Sequence, residues 1–413
     1  MSKAKPFCIS KVEVWEAYLK VRRNRGSSGV DGETLEKFEK DLKNNLYKLW
    51  NRLSSGSYFP PPVREVEIPK GDGKFRPLGI PTVADRIAQK VILMRLEPKL
   101  EKHFHRDSYG YRPNRSAIEA VGVARKRCWK FDWVLDLDIK GFFDNINHEL
   151  LMRGVKKHVE DKWVVLYIER WLKAAVQKAD GRLINREKGT PQGGVISPLL
   201  ANLYLHYTFD RWMQRNFPDI PFERFADDII CHCKSEKQSM WLLERLRERF
   251  TECKLELHPE KTGIIYCRDN ARRGKYLRES FDFLGYTFRP RRAINRQGGL
   301  FVSFMPGVSR KALKHIRLVI RRMGLHRRTE KSLQEIAQML NPVVLGWVNY
   351  FRHYYRSALH SVFYHINIML MRWAMRKYKR RGLKRAGFWL ERVKKNSPKL
   401  FAHWNLMPLM VRQ

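Results

Sequence analysis

The chain has 413 residues, 43% of them apolar and 12% aromatic, enough for two to four domains with true cores and too much for a disordered basic tail. Its 82 Lys and Arg against 42 Asp and Glu leave a net charge of +40, which a compact protein carries best opposite a polyanion such as nucleic acid. The N-terminus lacks the apolar stretch of a signal peptide, no segment is apolar for long enough to span a bilayer, and the six cysteines include no C-x-x-C pair. No membrane partner, zinc knuckle or disulfide framework is therefore expected, and a reducing cytosol fits.

In chain order, a helix is predicted from Lys11 to Arg25, then a glycine loop from Gly26 to Gly32 and a second helix to about Leu53. Pro60, Pro61 and Pro62 break it. Alternation over Val63–Ile68, a Gly/Pro turn and a second run from Phe75 to Ile80 predict a β-hairpin with a basic tip. A helix from Val83 to His103 follows, then mixed strands and helices as far as Phe288. Within that stretch Ser197 and Pro198 suit the N-cap and first position of a helix through Tyr204. Beyond Pro306 the pattern is helical, and Ser309 opens a helix with Leu313, Ile316, Ile320 and Met323 on one face.

The charge is uneven. Residues 289–413 hold 28 Lys and Arg but three acids, a net +25, while every Asp precedes residue 289. Carboxylate chemistry is thus confined to the first two thirds, and the last third suits phosphates. Two basic groups stand out there: Arg310, Lys311, Lys314, Arg317, Arg321 and Arg322 around the apolar face, and Arg376, Lys377, Lys379, Arg380 and Arg381 with Tyr378, Phe388, Trp389 and Trp404 interleaved or following. The aromatic stripe Leu345–Tyr355 reads mainly as core, with one or two rings left for stacking on RNA.

Two acidic clusters lie in strand-like surroundings. In Trp133–Asp138, alternation puts Asp136 and Asp138 on one face and Trp133, Leu135 and Leu137 on the other. The second is Asp227-Asp228, with β-branched residues directly after it. Adjacent carboxylates repel unless a cation neutralises them, and hard oxygen donors without nearby His or Cys favour Mg²⁺. Carboxylates from two strands in a strongly basic protein suit two-metal phosphoryl transfer.

Several motifs then occur in a fixed order: Gly29-Val-Asp-Gly32, Arg76-Pro-Leu-Gly-Ile-Pro-Thr82, Ser108-Tyr-Gly-Tyr-Arg-Pro113, Asp138-Ile-Lys-Gly-Phe-Phe-Asp144, Gly189-Thr-Pro-Gln-Gly-Gly194, Phe225-Ala-Asp-Asp228, Leu257-His-Pro-Glu-Lys-Thr262 and Phe283-Leu-Gly-Tyr-Thr-Phe288. Together they resemble the group II intron-encoded reverse transcriptase/maturases, over essentially the whole chain. The resemblance implies an α+β right-hand polymerase, with fingers and a palm bearing an antiparallel sheet, followed by an all-helical thumb or maturase domain and a short basic C-terminal region. The corresponding segments are 1–130 (N-terminal extension and fingers), 131–290 (palm), 291–375 (thumb/maturase) and 376–413 (DNA-binding tail).

Residue by residue, the resemblance assigns Asp138, Asp227 and Asp228 to catalysis, with two Mg²⁺ ions held by Asp138, Asp227 and the Ile139 carbonyl. Asp136 is left to a supporting place. Lys70 and Arg76 would grip the triphosphate, Phe143 would exclude a ribose 2′-hydroxyl, and Gln192 and Gly193 would lie against the nascent base pair. Lys261 is either a proton donor to pyrophosphate or a phosphate contact. The loop at Gly26–Gly32 resembles a template lid. The implied activity is RNA-directed DNA synthesis with splicing of the encoding intron, and the partners are group II intron RNA, an RNA template with DNA primer, target DNA and dNTPs. The alternatives are a splicing-only maturase, or a domesticated relative in phage defence or repair. No Cys follows Cys267 and the sequence stops at Gln413, so no HNH endonuclease is expected. The expected location is the bacterial cytosol or nucleoid, as monomer or homodimer.

Overall fold

The computed structural model describes residues 5–71, 74–295, 297–379 and 382–406. The chain forms two compact units, one of Met1–Ser116 with Leu135–Gly263, the other of Ala117–Val134 with Ile264–Gln413. Eleven strands are described: β1 (Val63–Gly71), β2 (Lys74–Ile80), β3 (Trp133–Leu137), β4 (Val176–Gln177), β5 (Leu183–Ile184), β6 (Phe222–Phe225), β7 (Asp228–Cys233), β8 (Gly263–Tyr266), β9 (Phe281–Phe283), β10 (Tyr286–Ile294) and β11 (Leu300–Val308). They make three sheets, ordered β2-β1-β4-β5, β6-β7-β3-β8 and β11-β10-β9. The chain passes from one unit to the other between Ser116 and Ala117, within β3 and within β8.

In the first unit, the predicted hairpin is present: β1 and β2 pair antiparallel from Arg64 opposite Ile80 to Gly71 opposite Lys74. The first helix spans Lys11–Asn24 and starts on a capping box, Ser10 and Glu13 each accepting the other's backbone N–H. The second prediction resolves into two helices, Leu35–Lys40 and Leu42–Ser55, the latter ended by Gly56 in the left-handed conformation. The helix Val83–Glu101, capped by Thr82, is buried on most of its circumference, with Asp85, Arg86 and Gln89 enclosed beside Val83, Ile87, Ala88, Val91, Ile92 and Leu96. Arg86 on this helix donates to the carbonyls of Arg25 and Ser27 and so tethers the glycine loop.

Ser197 differs from expectation. It is the first residue of the helix Ser197–Leu205, not its cap, and Ile196 takes the cap position. The reason is that the Ser197 hydroxyl is already engaged, 2.8 Å from the hydroxyl of Thr190 in a buried pair.

Asp85 ties this core together. Its carboxylate accepts from Trp171 Nε1 (2.6 Å), Tyr58 Oη (2.8 Å) and Gln89 Nε2 (2.9 Å), and Gln89 in turn accepts the Ile196 N–H. Burial pushes the Asp85 carboxyl up to about 6 from 3.8, against the pull of those three donors. Between these values the folded protein keeps a proton that the unfolded chain has released, so this contribution is full below 3.8 and is lost as pH rises to about 6. Relative to Asp85→Asn, the wild type should therefore lose stability across that window in urea unfolding. A difference that stays flat with pH would contradict the assignment.

In the second unit, β10 and β11 form a nine-residue antiparallel ladder from Tyr286 opposite Val308 to Ile294 opposite Leu300. The expected segment boundary at 290/291 falls inside β10, because the charged, Pro-containing run Arg289–Arg292 hides the alternation. Ser309 caps the helix Arg310–Arg322 as predicted, and Ile316 and Ile320 are its buried residues, with Leu313 and Met323 half-buried. The helices Leu333–Phe351, His360–Lys377 and Leu383–Asn396 follow. Much of the predicted aromatic stripe is packed: Tyr286 meets Tyr350, Phe351 and Tyr354 at ring-centroid distances of 5.2–5.6 Å. The last described segment folds back. Asn341 bonds Leu400 O and Ala402 N, and Asn367 Oδ1 accepts from His403 Nε2 (2.8 Å) and Trp404 Nε1 (3.2 Å). Trp404 is accordingly core, not a presented ring. Among the described residues, no helix is long and apolar enough to cross a membrane.

Candidate active site

Asp138 follows the last residue of β3. Its N–H donates to Thr262 Oγ1 (3.4 Å), its carbonyl accepts from His258 N (2.7 Å), and Lys140 N reaches Glu256 O (2.9 Å). The last two bonds flank the antiparallel bridge between Ile139 and Leu257, a pattern that turns the Ile139 carbonyl away from Leu257. Asp138 Oδ2 lies 2.9 Å from Lys261 Nζ, an ion pair with 36% and 56% of the two side chains exposed. At that exposure the pair adds little stability.

Asp227 lies in the two-residue turn between β6 and β7, where Phe225 pairs with Asp228, and β7 neighbours β3. The first turn residue, Ala226, has φ +57°, a value that hairpin turns of this length require and that glycine usually supplies. The packing beneath the turn holds this conformation. Arg224 Nη1 donates to Ala226 O (3.2 Å) and Asn202 Oδ1 (2.9 Å), while Nε and Nη2 fork onto Asp210 at 2.7 and 2.6 Å. Arg224 and Asp210 are both wholly buried. From the far side, Asn202 donates to Gly110 O (2.7 Å), and a side chain at Gly110 would come within 2.3 Å of Ala226 N. Only glycine lets the segment from Ser108 to Tyr111 lie against the turn. That segment is bonded to β6 through Tyr109 N and Arg224 O (2.8 Å).

The remaining predicted residues of this unit converge through the segment Gly189–Gly194. Thr190 N donates to Phe143 O (2.8 Å), Gly189 N to Ile146 O (2.7 Å), and Gly79 N of β2 to Gln192 O (2.7 Å). Gly193, at φ +118°, leaves no room for a side chain, since its Cβ would meet Gly79 O at 2.5 Å. β2 is thereby held beside Gln192, and Arg76 Nε donates to Gln192 Oε1. Gln192 Nε2 lies 3.4 Å from both carboxylate oxygens of Asp144. The Phe143 ring is buried, edge-on to Phe142 at 5.4 Å.

Tyr111 was legible in the motif Ser108–Pro113 but had no role assigned to it. It has φ +56°, is about half exposed, and burial together with the Asp227 carboxylate pushes its phenol up while Arg76 pulls it down. An exposed ring thus stands within electrostatic range of both Asp227 and Arg76. Sequence reasoning also missed Asp144, and the Asp210–Arg224–Asn202 network, whose local signal was Asn202 in the apolar run 199–205.

The other predicted residues are placed as follows. The side chain of Lys70 and both Arg380 and Arg381 lie outside the described residues. Arg310, Lys311, Lys314, Arg321 and Arg322 are exposed on their helix, while Arg317 is half-buried and donates to Ser361 Oγ (3.1 Å). Lys377 Nζ donates to Thr329 O (3.0 Å) and Lys331 O (2.6 Å), so its ammonium already fastens a loop. Arg376 and Lys379 are exposed.

The donor chemistry around Asp138 and Asp227 fits a hard divalent cation: carboxylates and the Ile139 carbonyl, turned away from Leu257, while His258 of the adjoining motif bonds Asp138 through its backbone N–H and its Nδ1 accepts from Glu260 N. Among the described residues no three His, Cys, Asp or Glu side chains are gathered closely enough to form a ready-made cage. The donors fit Mg²⁺ by type, with Lys261 as the present counter-charge of Asp138.

Residues 68–288 match the sequence profile of the family described as "Reverse transcriptase (RNA-dependent DNA polymerase)". The chain belongs to the reverse transcriptase family. A second profile, "Group II intron, maturase-specific domain", matches residues 313–389 of this reverse transcriptase, beyond the expected boundary at 375/376. The reverse transcriptase is 35% identical over 284 residues to Protein YkfC of Escherichia coli (strain K12), covering 58% of this chain and 73% of that protein. It is 30% identical over 349 residues to the "Group II intron-encoded protein LtrA" of Lactococcus lactis subsp. cremoris, covering 68% of this chain and 56% of LtrA. The "Putative COX1/OXI3 intron 1 protein" of Saccharomyces cerevisiae is 29% identical over 277 residues, 65% of this chain and 32% of that protein. The reverse transcriptase thus spans about half of LtrA and a third of the yeast protein. Its α+β architecture, with a strand-bearing polymerase segment and a largely helical maturase segment, is that of an RNA-directed DNA polymerase joined to a maturase domain. Members of the family generally work with divalent metal ions.

Proposed function

We propose that the chain copies group II intron RNA into cDNA and assists the splicing of that intron, supporting its mobility by target-primed reverse transcription in a bacterial cytosol or nucleoid. The observation that carries this reading is the pairing, on one chain, of the reverse transcriptase match and the maturase-specific match, the latter falling on the most basic third of the sequence. Asp138, Asp227 and the Ile139 carbonyl would hold two Mg²⁺ ions, with Asp228 beside them. Bound there, the ions supply ionisation of the attacking 3′-hydroxyl and neutralisation of charge at the phosphate.

The chain's own residues then have separate tasks. Arg76, oriented by Gln192, offers a fixed guanidinium to the triphosphate, with Lys70 assigned to the same group. Gln192 and Gly193 present backbone and a short amide to the nascent pair. Lys261, paired with Asp138, is assigned to the departing pyrophosphate, as proton donor or phosphate contact. Phe143 is assigned to the incoming sugar, its ring edge-on to Phe142 and its backbone carbonyl bonded to Thr190 N. Phe143→Ala should therefore improve ribonucleotide use relative to deoxynucleotide use by about 10–100-fold in kcat/KM, measured by single-nucleotide extension. An unchanged ratio would return Phe143 to plain packing.

The wider reading is tested by the RNA that copurifies with the protein from its host. Sequencing should return one structured intron transcript carrying its catalytic hairpin, flanking this coding region. A mixture of host transcripts without such an intron would remove splicing and mobility while leaving polymerisation in place.

A further inference from the structure

A second cavity lies among helices of the first unit, lined by none of the residues gathered around Asp138 and Asp227. It encloses about 890 Å³, within the range of a small-molecule or nucleotide site. Its walls come from the end of the segment after Val83–Glu101, the helix His148–His158, the run from His206 to Asn216 and the helix Glu236–Glu252. Lys157, Arg211, Arg215 and Arg249 line it, together with Tyr207 and Trp212, and among the described residues no carboxylate does. Lys157, Arg211 and Arg215 form no ion pair among the described residues. Arg249 is the exception, pairing with Glu252 at 3.1 Å while donating to the carbonyls of Tyr207 and Thr208.

The wall is ordered by aromatic contacts. His158 lies tilted against His103, with ring centroids 4.5 Å apart, and bonds Tyr207 Oη at 2.5 Å. Lys157 Nζ stands 5.3 Å from the Tyr207 ring centre. His206 also lines the cavity. It is buried to 3% exposure, and its Nδ1 has no hydrogen-bond partner. Burial holds its pKa down at about 4, against the pull of the Asp210 carboxylate 3.9 Å from its Nδ1, so the ring is neutral. His206 begins a π-helical turn, His206–Asp210, a local irregularity that often marks a functional position.

We propose that this cavity binds one nucleotide step of single-stranded RNA, its phosphate held by Lys157, Arg211 and Arg215 and its base laid against Tyr207 and Trp212. Exposed cations without acidic partners in a concave wall attract an anion, and aromatic rings interleaved with them favour a strand that brings a base with each phosphate. A duplex offers no unstacked base to such a cavity. The site rests on the proposed function, which already calls for an RNA partner, and adds a place on the first unit, away from Asp138 and Asp227, where one step of that strand would be held.

The test uses the full-length protein and a short oligouridylate carrying photoreactive iodouridine. Crosslinks mapped by peptide mass spectrometry should fall on the peptide containing Tyr207 and Trp212. The double variant Arg211→Gln/Arg215→Gln, and separately Lys157→Gln on another helix, should each lower that crosslink about 10-fold, and the double variant should reduce the slope of log affinity against log salt by about 1–2. Primer extension on an RNA template should be unchanged in all of them. A wild-type crosslink absent from this peptide, or one undiminished in both variants, would overturn the proposal. Displacement by inorganic phosphate, at ionic strength matched with chloride, would make this a free-anion site and equally overturn the strand assignment. A wild type that crosslinks but cannot extend a primer would instead count against the polymerase reading.

Discussion

Asp227→Ala should lower Mg²⁺-dependent cDNA synthesis by about a thousandfold or more, a loss of about 4 kcal/mol in transition-state stabilisation. The side chain stands in a turn whose backbone is fixed from beneath by Arg224 and from the side by Gly110, so its removal should leave the turn in place. Affinity for a template–primer duplex, measured by fluorescence anisotropy, should change by no more than about twofold, because phosphate contacts supply most of that affinity and this residue is not a cation. The two readouts together separate chemistry from binding. Extension within tenfold of wild type would show that Asp227 is not a metal ligand, and a collapse of duplex affinity would show that the turn itself had failed.

The largest effect on stability should come from Asp210→Ala. Arg224 and Asp210 are fully buried and joined by a two-point fork, so removing the carboxylate strands a guanidinium without its counter-charge, at a cost of about 3–5 kcal/mol. The melting temperature and the urea midpoint should fall together. Replacing both partners by apolar residues, as in Asp210→Leu/Arg224→Met, should recover most of that stability, because the desolvation of two charges is removed along with their attraction. Activity should not recover with it: the apolar pair cannot donate to Ala226 O or to Asn202, and the turn that carries Asp227 loses its support. A double variant both stable and fully active would reduce the pair to a filler of the core.

What could be read from the sequence was whatever is encoded locally. The hairpin of β1 and β2 follows from its alternation and Gly/Pro turn, the helix at Arg310 from Ser309 and the spacing of Ile316 and Ile320, and the carboxylates from their strand-like neighbours. The motifs brought Asp138, Asp227, Arg76 and Gln192 together as candidates, and the contact of Arg76 with Gln192 spans 116 positions that no periodicity could bridge. The features that escaped depend on partners far away in sequence. Tyr111 takes its exposed, left-handed place because Gly110 fits against Ala226, and Arg224 is informative only once Asp210 and Asn202 lie beside it. Ser197 looked like a cap because capping is the usual use of such a hydroxyl, and a single contact with Thr190 gave it another.

The fold-back at the end of the described chain bears on the proposed contact of the basic third with RNA. Asn341 and Asn367 clasp the segment from Leu400 to Trp404 against two long helices, and Trp389 packs near Trp373 and Tyr378, so the helix Leu383–Asn396 is held along its length and beyond its C-terminal end. Its cations are therefore arrayed before any RNA arrives. A basic arm that must order itself on its target loses part of each contact's free energy to conformational entropy, and a clasped one does not. Association through this surface should resemble the docking of a rigid mould, with a small heat-capacity change for its size and a rate set chiefly by charge and salt.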